Sequence, residues 1–205
     1  MTDTPVRVDV WSDFVCPWCY LAATSLEKLE AANEIEIVRR SYELRPKGSP
    51  PMPEEYRKRI EDGQPQFNAM ALERYGITIN RGPFGIDSRP ALIGAKFAEE
   101  QGAGKAYHDA MYRAYWEEAR DIEQLDVMQD VAESVGLDRE AFAAALETPA
   151  YLHQVIADIT QAQGMGLQGV PAMIFAGKYL VSGAQPYDVL KQVVKDVNTR
   201  LAANA

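Results

Sequence analysis

From Val6 to Trp11 the chain alternates. Val6, Val8 and Val10 share one parity; Arg7, Asp9 and Trp11 share the other. That period of two predicts a strand with one face on a core. Pro17 suits the first turn of a helix, where its missing N–H costs nothing. The helix runs to about Ala32, with Leu21, Leu26 and Leu29 as its apolar face. The run from Ile35 to Tyr42 reads as a second strand. A turn-rich stretch with Pro46, Gly48, Pro50, Pro51 and Pro53 then closes a β-α-β unit. Helical spacing dominates from residue 54 to about 148, in stretches Glu54 to Glu61, Gln66 to Tyr75, Arg89 to Gln101, Lys105 to Glu118, Gln124 to Val135 and Asp138 to Glu147. Asp138 is placed to cap the last of these. Tyr151 to Gln163 forms one more helix. Beyond it the character changes: Ala172 to Ala176 is a strand, Gly177-Lys178 a tight turn, Tyr179 to Ser182 its partner. Pro186 opens a final helix with Val189, Leu190, Val193, Val194 and Val197 on its apolar face, and a frayed tail is expected from Ala202 to Ala205.

Composition narrows the classes. Hydrophobic residues make up 47% and charged residues 25% of 205 residues, ordinary for a globular protein with a substantial core. A net charge of −9 argues against a nucleic-acid binder, and against a basic membrane-surface role. No stretch approaches the ~18 apolar residues of a membrane span. Met1-Thr2-Asp3-Thr4-Pro5 has no basic run followed by an apolar one, so no secretory signal is read and a cytoplasmic location is expected.

The chemistry concentrates at Cys16-Pro17-Trp18-Cys19, which holds both cysteines of the chain. The motif sits between the first strand and the first helix. A thiol there faces unpaired backbone N–H groups and the positive end of the helix dipole, which favour the nucleophilic thiolate. A second cysteine one turn on is placed to attack a mixed disulfide. Other readings stand beside this one. A structural disulfide would close a very short loop and stabilise little. Zinc usually needs four ligands, and His108 and His153 are single and distant in sequence. Two inert buried thiols are the third. A C-x-x-C beside a βαβ pattern points to redox chemistry, and no metal is expected.

Gly169-Val170-Pro171 precedes the first C-terminal strand. Proline belongs at a strand's start, and a cis X-Pro bond there makes a tight bend. Such a bend leaves Val170 backbone groups available to an extended peptide added as a strand. An ordinary trans turn is the bland alternative; beside C-x-x-C, the cis form is the more consistent.

Ser12-Asp13-Phe14-Val15-Cys16-Pro17-Trp18-Cys19-Tyr20, Gly169-Val170-Pro171-Ala172 and Val181-Ser182-Gly183-Ala184-Gln185-Pro186 together resemble the DsbA-like branch of the thioredoxin superfamily, and within it the FrnE-type oxidoreductases. Ser88-Arg89-Pro90-Ala91 fits less sharply. The resemblance implies an α/β, thioredoxin-like fold with a helical domain inserted between an N-terminal βαβ half and a C-terminal ββα half. Residues 1–50 and 150–205 would form the thioredoxin-like part and 51–149 the insert. It also implies Cys16 as attacking thiol, Cys19 as resolving thiol and Pro171 as the cis-proline facing them. Trp18 stands where periplasmic DsbA proteins carry a histidine. An indole cannot hold a thiolate by charge, so a less oxidising couple is expected. Some FrnE-type members carry a further cysteine pair near the C-terminus, which this chain lacks.

Pro17, Trp18, Val170 and Phe14 are the expected substrate-binding residues. Trp11, Phe14, Trp18 and Tyr20 are expected as an apolar apron around the sulfurs, with Trp18 exposed and core burial the equal alternative for Trp11. Phe84, Leu92 and Trp116 are candidates for walling the groove, although core packing is the commoner fate of such residues. Asp13 reads as a surface turn or cap, with a proton relay to the resolving thiol as the functional alternative. Arg39-Arg40 reads as an edge device, and Glu99-Glu100 and Glu117-Glu118 as solvated faces. The leading function is a thiol–disulfide oxidoreductase or isomerase acting on protein or small-molecule thiols and disulfides, with no cofactor beyond its own redox-active disulfide. A glutathione-dependent isomerase of the 2-hydroxychromene-2-carboxylate type is the main alternative, with glutathione as co-substrate. Those enzymes typically keep serine where this chain has Cys16; FrnE-type proteins have also been linked to polyketide pathways. A chaperone-like binding module is the third. Either a monomer or a homodimer is compatible with the pattern.

Overall fold

Alternation along the first strand decides which way the sheet faces. The computed structural model describes residues 5–203. In it β1 (Val6–Ser12) runs parallel to β2 (Ile35–Ser41), Val6 opposite Ile35, and antiparallel to β3 (Ala172–Phe175). β3 pairs antiparallel with β4 (Tyr179–Ser182), so the sheet order is β2-β1-β3-β4. Val6, Val8 and Val10 pack on Leu26 and Leu29 of α1 (Pro17–Ala31) and on Leu190, Val194 and Val197 of α8 (Tyr187–Ala203). The other parity is exposed at Arg7, half-buried at Asp9 and covered at Trp11. Trp11 is buried with Ala162 and Leu167, beneath α7 (Pro149–Gly164), and its indole donates to the Asp158 carbonyl at 2.9 Å.

Between β2 and β3 lie α2 (Glu54–Tyr75), α3 (Arg89–Glu100), α4 (Gly104–Trp116), α5 (Leu125–Ser134), α6 (Arg139–Leu146) and α7. This is the thioredoxin-like βαβ and ββα arrangement with helices inserted between the halves. The inserted helices share one apolar cluster with the start of α1: Phe14, Cys16, Cys19 and Tyr20 join Leu92, Tyr107, Met111 and Trp116. A buried polar knot ties α3 and α7 to the sheet. Asp158 forms an ion pair with Lys96 at 2.8 Å and accepts from Arg40 at 3.2 Å and from the Ser41 N–H at 2.9 Å. Arg40 also pairs with Asp9 at 2.9 Å, and Arg39 with Glu30 at 3.4 Å. Arg39-Arg40 therefore anchors its strand to helices and to β1, beyond guarding an edge.

Several local expectations need correction. The expected break between Glu61 and Gln66 does not occur, because α2 continues through Pro65. Proline costs such a helix about 3 kcal/mol by removing one N–H and crowding a carbonyl. Pro65 and Glu61 are both exposed, so solvent can satisfy the carbonyl left without its donor. The hairpin turns on Ala176 and Gly177, not on Gly177-Lys178. Both have positive φ (51° and 68°), and the Lys178 N–H donates to the Phe175 carbonyl at 3.0 Å, as in a primed turn. α8 is helical through Ala203, while Met1–Thr4, Asn204 and Ala205 lie outside the described residues. Asp138 caps α6 as expected, accepting from the Ala141 N–H at 2.7 Å. Among the described residues no helix is long and apolar enough to cross a membrane.

Candidate active site

The turn after β1 delivers the motif to a helix start. The Cys16 N–H donates to the Asp13 carbonyl at 3.1 Å, which leaves Cys16 extended (φ −90°, ψ 115°) and makes Pro17 the first helical residue. Cys16 Sγ accepts from the Cys19 N–H at 3.3 Å, and its thiol donates to the Val170 carbonyl at 3.6 Å. One N–H of the first helical turn, that of Cys19, thus points at the sulfur, which sits at the start of the helix. The Val170–Pro171 peptide bond is cis. Both cysteines are free thiols and buried. Pro17 and Val170 are half-buried beside them, and Trp18 is 46% exposed with its ring edge-on to Phe67 of α2 at 5.2 Å. A cleft of about 460 Å³ runs along the other side of Pro171, between residues 166–172 and Leu180, Ser182 and Gly183.

The apron is smaller than expected. Phe14 is fully buried, packed on His108 at 4.7 Å and Tyr112 at 5.2 Å, so its side chain faces the helical core and not a substrate. Its carbonyl accepts from the Trp116 indole at 2.8 Å. Trp11, Leu92 and Trp116 are core residues too. Tyr20 stacks on Trp116 and donates its hydroxyl to Glu117 at 2.6 Å, so Glu117 is engaged where a purely solvated face was expected. Phe84 is held between the guanidinium groups of Arg57 and Arg81. Of the apron, Trp18 alone presents a large exposed ring. Phe67 was missed, since nothing in a mostly polar helix marks one aromatic as the neighbour of a distant loop.

Asp13 is also corrected: it is 1% exposed, not a surface turn residue. Its carboxylate accepts from the Leu44 N–H at 2.8 Å and the Val15 N–H at 3.3 Å, bridging the loops that follow β1 and β2. Burial pushes its carboxyl up to about 6, against the lowering effect of these donors and of the Ser88 hydroxyl. Next to it, Arg89 grips buried Glu43 through two hydrogen bonds. The Ser88-Arg89 pair, weak as a sequence signal, therefore braces the wall behind the cysteines. Cys19 is pushed well up, first by burial and then by the Cys16 sulfur, so it rests as a thiol. One turn of helix thus holds a first sulfur that accepts from a backbone N–H and a second sulfur that keeps its proton.

Comparisons with known proteins bear on the fold and the family. A Streptomyces coelicolor structure, of a probable DsbA oxidoreductase, is similar with 30% identity and a TM-score of 0.81, over 93% of this chain and 89% of that one. The structure of a 2-hydroxychromene-2-carboxylate isomerase also has a TM-score of 0.81, over 97% and 99% of the two chains; at 22% identity it shows the shared fold. Among curated proteins, the uncharacterized protein YwbO of Bacillus subtilis (strain 168) is 29% identical over 93% of this chain and 96% of its own length. The profile of the DsbA-like thioredoxin domain matches residues 7–195, and on that match, with the fold and the helix-start cysteine pair, the chain belongs to the DsbA-like thioredoxin-domain family.

Proposed function

We propose that this protein is a thiol–disulfide oxidoreductase that uses Cys16 as nucleophile and Cys19 as resolving thiol. The observation that carries the reading is the position of Cys16 Sγ: at the N-terminus of α1, 3.3 Å from the Cys19 N–H and 3.6 Å from the Val170 carbonyl. The Cys16 thiolate attacks one sulfur of a substrate disulfide, and the other sulfur leaves as a thiolate. Cys19 then loses its proton and attacks Cys16 Sγ. The second substrate sulfur departs, and two electrons have passed from the dithiol to the substrate. Run in reverse, the same steps oxidise a substrate dithiol. Pro17, Trp18, Val170 and Pro171 form the rim against which the substrate lies, and the cleft beside Pro171 suits an extended segment or a small disulfide. Either substrate class fits this rim, and glutathione is a candidate co-substrate.

The test is equilibration of the pair against a glutathione redox series, read by thiol alkylation. A single two-electron transition is expected. Cys16→Ser should abolish it, and Cys19→Ser should accumulate a glutathione mixed disulfide at Cys16. If wild type shows no transition while turnover with glutathione survives in Cys16→Ser, the oxidoreductase reading is wrong and an isomerase takes its place.

A further inference from the structure

Resolution requires Cys19 to lose a proton while buried beneath Cys16. The structure offers two candidate acceptors: Asp13, and the Glu27–Asp109 pair that lines a cavity with Cys19. Asp13 has one oxygen bound to the Val15 N–H and the other to the Leu44 N–H, and it is cut off from solvent. A proton placed there has no route out to solvent.

The other side of Cys19 is different. A cavity of about 30 Å³ lies between α1, β1, β2 and α4, with room for about two water molecules. Cys19, Glu27 and Asp109 all line it, together with Ser12, His108 and Tyr112. The path follows from helix spacing: Cys19, Ala23 and Glu27 recur every four residues on one face of α1. The small Ala23 side chain leaves the gap that a larger residue would fill.

We propose that the Glu27–Asp109 pair, reached through water in this cavity, takes the Cys19 proton as Cys19 resolves the mixed disulfide, and returns it when the protein disulfide is opened. The proposal rests on the oxidoreductase reading above. Atoms balance: the Cys16–Cys19 bond forms, the Cys16–substrate bond breaks, the substrate sulfur leaves as thiolate, and the Cys19 proton moves to the carboxylate pair. Glu27 and Asp109 act through Cys19 and are positioning residues for the proton.

The surroundings suit the task. Glu27 faces Asp109 and Lys105 from α4 and Arg39 from β2; Lys105 pairs with Asp109 at 2.8 Å and with Glu30 at 3.8 Å. Burial, then the Asp109 charge, pushes Glu27 up to about 7, so it can both accept and release a proton near neutrality. His108 is held well down, by burial and then by Arg39, Lys96 and Lys105, and stays neutral. The Tyr112 hydroxyl lies at Ser12 and near both sulfurs, with its proton held firmly by burial.

The test is stopped-flow reaction of the reduced full chain with 5,5′-dithiobis(2-nitrobenzoate) across pH 5 to 9. The first thionitrobenzoate released reports attack by Cys16, and the second reports resolution by Cys19. In wild type the second phase should show an inflection near that of Glu27. In Glu27→Gln, which keeps the side-chain shape, and separately in Ala23→Leu, which fills the cavity, the first phase should keep its rate. The second should slow about ten-fold or more near neutral pH and lose the inflection, less than the ~10²–10⁴-fold of a typical proton-transfer group because bulk water partly substitutes. An unchanged second phase in both variants overturns the proposal, as does equal slowing of both phases, which marks a structural role. Loss of the inflection in Asp13→Asn but not in Glu27→Gln overturns it in favour of Asp13. Absence of the first phase in wild type refutes the oxidoreductase reading itself, and the relay with it.

Discussion

Replacing Asp13 by asparagine should change how stability depends on pH, with a sign and size that the burial of Asp13 dictates. Its carboxyl is raised from the ordinary 3.8 to about 6. The folded state therefore binds a proton more tightly than the unfolded state does. Stability from this group is fully present below 3.8 and is lost as pH rises through about 6. The loss is about 3 kcal/mol, at ~1.4 kcal/mol per pH unit. That is a large share of the ~5–15 kcal/mol typical of a domain. Asparagine has no proton to lose. It also presents an amide donor to either the Val15 or the Leu44 N–H, a pH-independent cost of about 1–3 kcal/mol. The absolute effect at one pH thus mixes two opposing contributions, but the change between acid and neutral pH isolates one. Urea unfolding of reduced wild type and variant from pH 4 to 7.5 should show the variant gaining about 2.5 kcal/mol relative to wild type as pH rises, the part of the loss that falls in this window. Glu27 and Glu99, also raised mainly by burial, contribute to both proteins and cancel in the difference. A difference that stays flat with pH, or falls, would refute the argument that Asp13 is buried against its preference.

Two further outcomes test the frame around the site. Asp158→Ala should destabilise the protein by about 3 kcal/mol in urea unfolding. Lys96, 6% exposed, loses its 2.8 Å partner and the Ser41 N–H its acceptor, while Glu99 at 3.2 Å and the Arg39 carbonyl at 3.3 Å keep the loss at the lower end for a broken buried pair. Adding Lys96→Met should recover part of it; a loss below ~1 kcal/mol would mean the knot is not formed in solution. Ala119→Gly should raise the melting temperature, gaining about 0.5–1 kcal/mol, because Ala119 is exposed and holds φ at 56°, where glycine pays no steric penalty; destabilisation would place this residue outside the left-handed region.

Reading outward from local pattern works where the signal is local. The period-two valines of β1, the proline after Cys16 and the Asp138 cap each act within a few residues, and each element formed where expected. The same reasoning broke α2 at Pro65, because local propensity charges a proline in full while an exposed helix can absorb it in solvent. Phe14 shows the opposite failure. It sits in the motif's own turn, yet the inserted helix α4, about a hundred residues on, claims its ring and its carbonyl. Asp13 fails in the same way: a polar residue in a turn reads as exposed until the Leu44 N–H arrives from another loop to bury it.

What the sequence determined alone is the chemistry on offer and its immediate frame: two thiols one helical turn apart, the strand before them, the helix start that holds them, and the proline before the C-terminal strand. Covalent spacing and helix periodicity set these, and both are properties of a few neighbouring residues. The tertiary structure decided what surrounds the sulfurs. It brought the Val170 carbonyl to Cys16, buried Phe14 and Asp13, set Phe67 against Trp18, and opened a cavity from Cys19 toward Glu27 and Asp109. Those outcomes depend on packing between segments far apart in the chain. Such contacts leave no periodic trace in the sequence, because what specifies them is the shape of two surfaces at once.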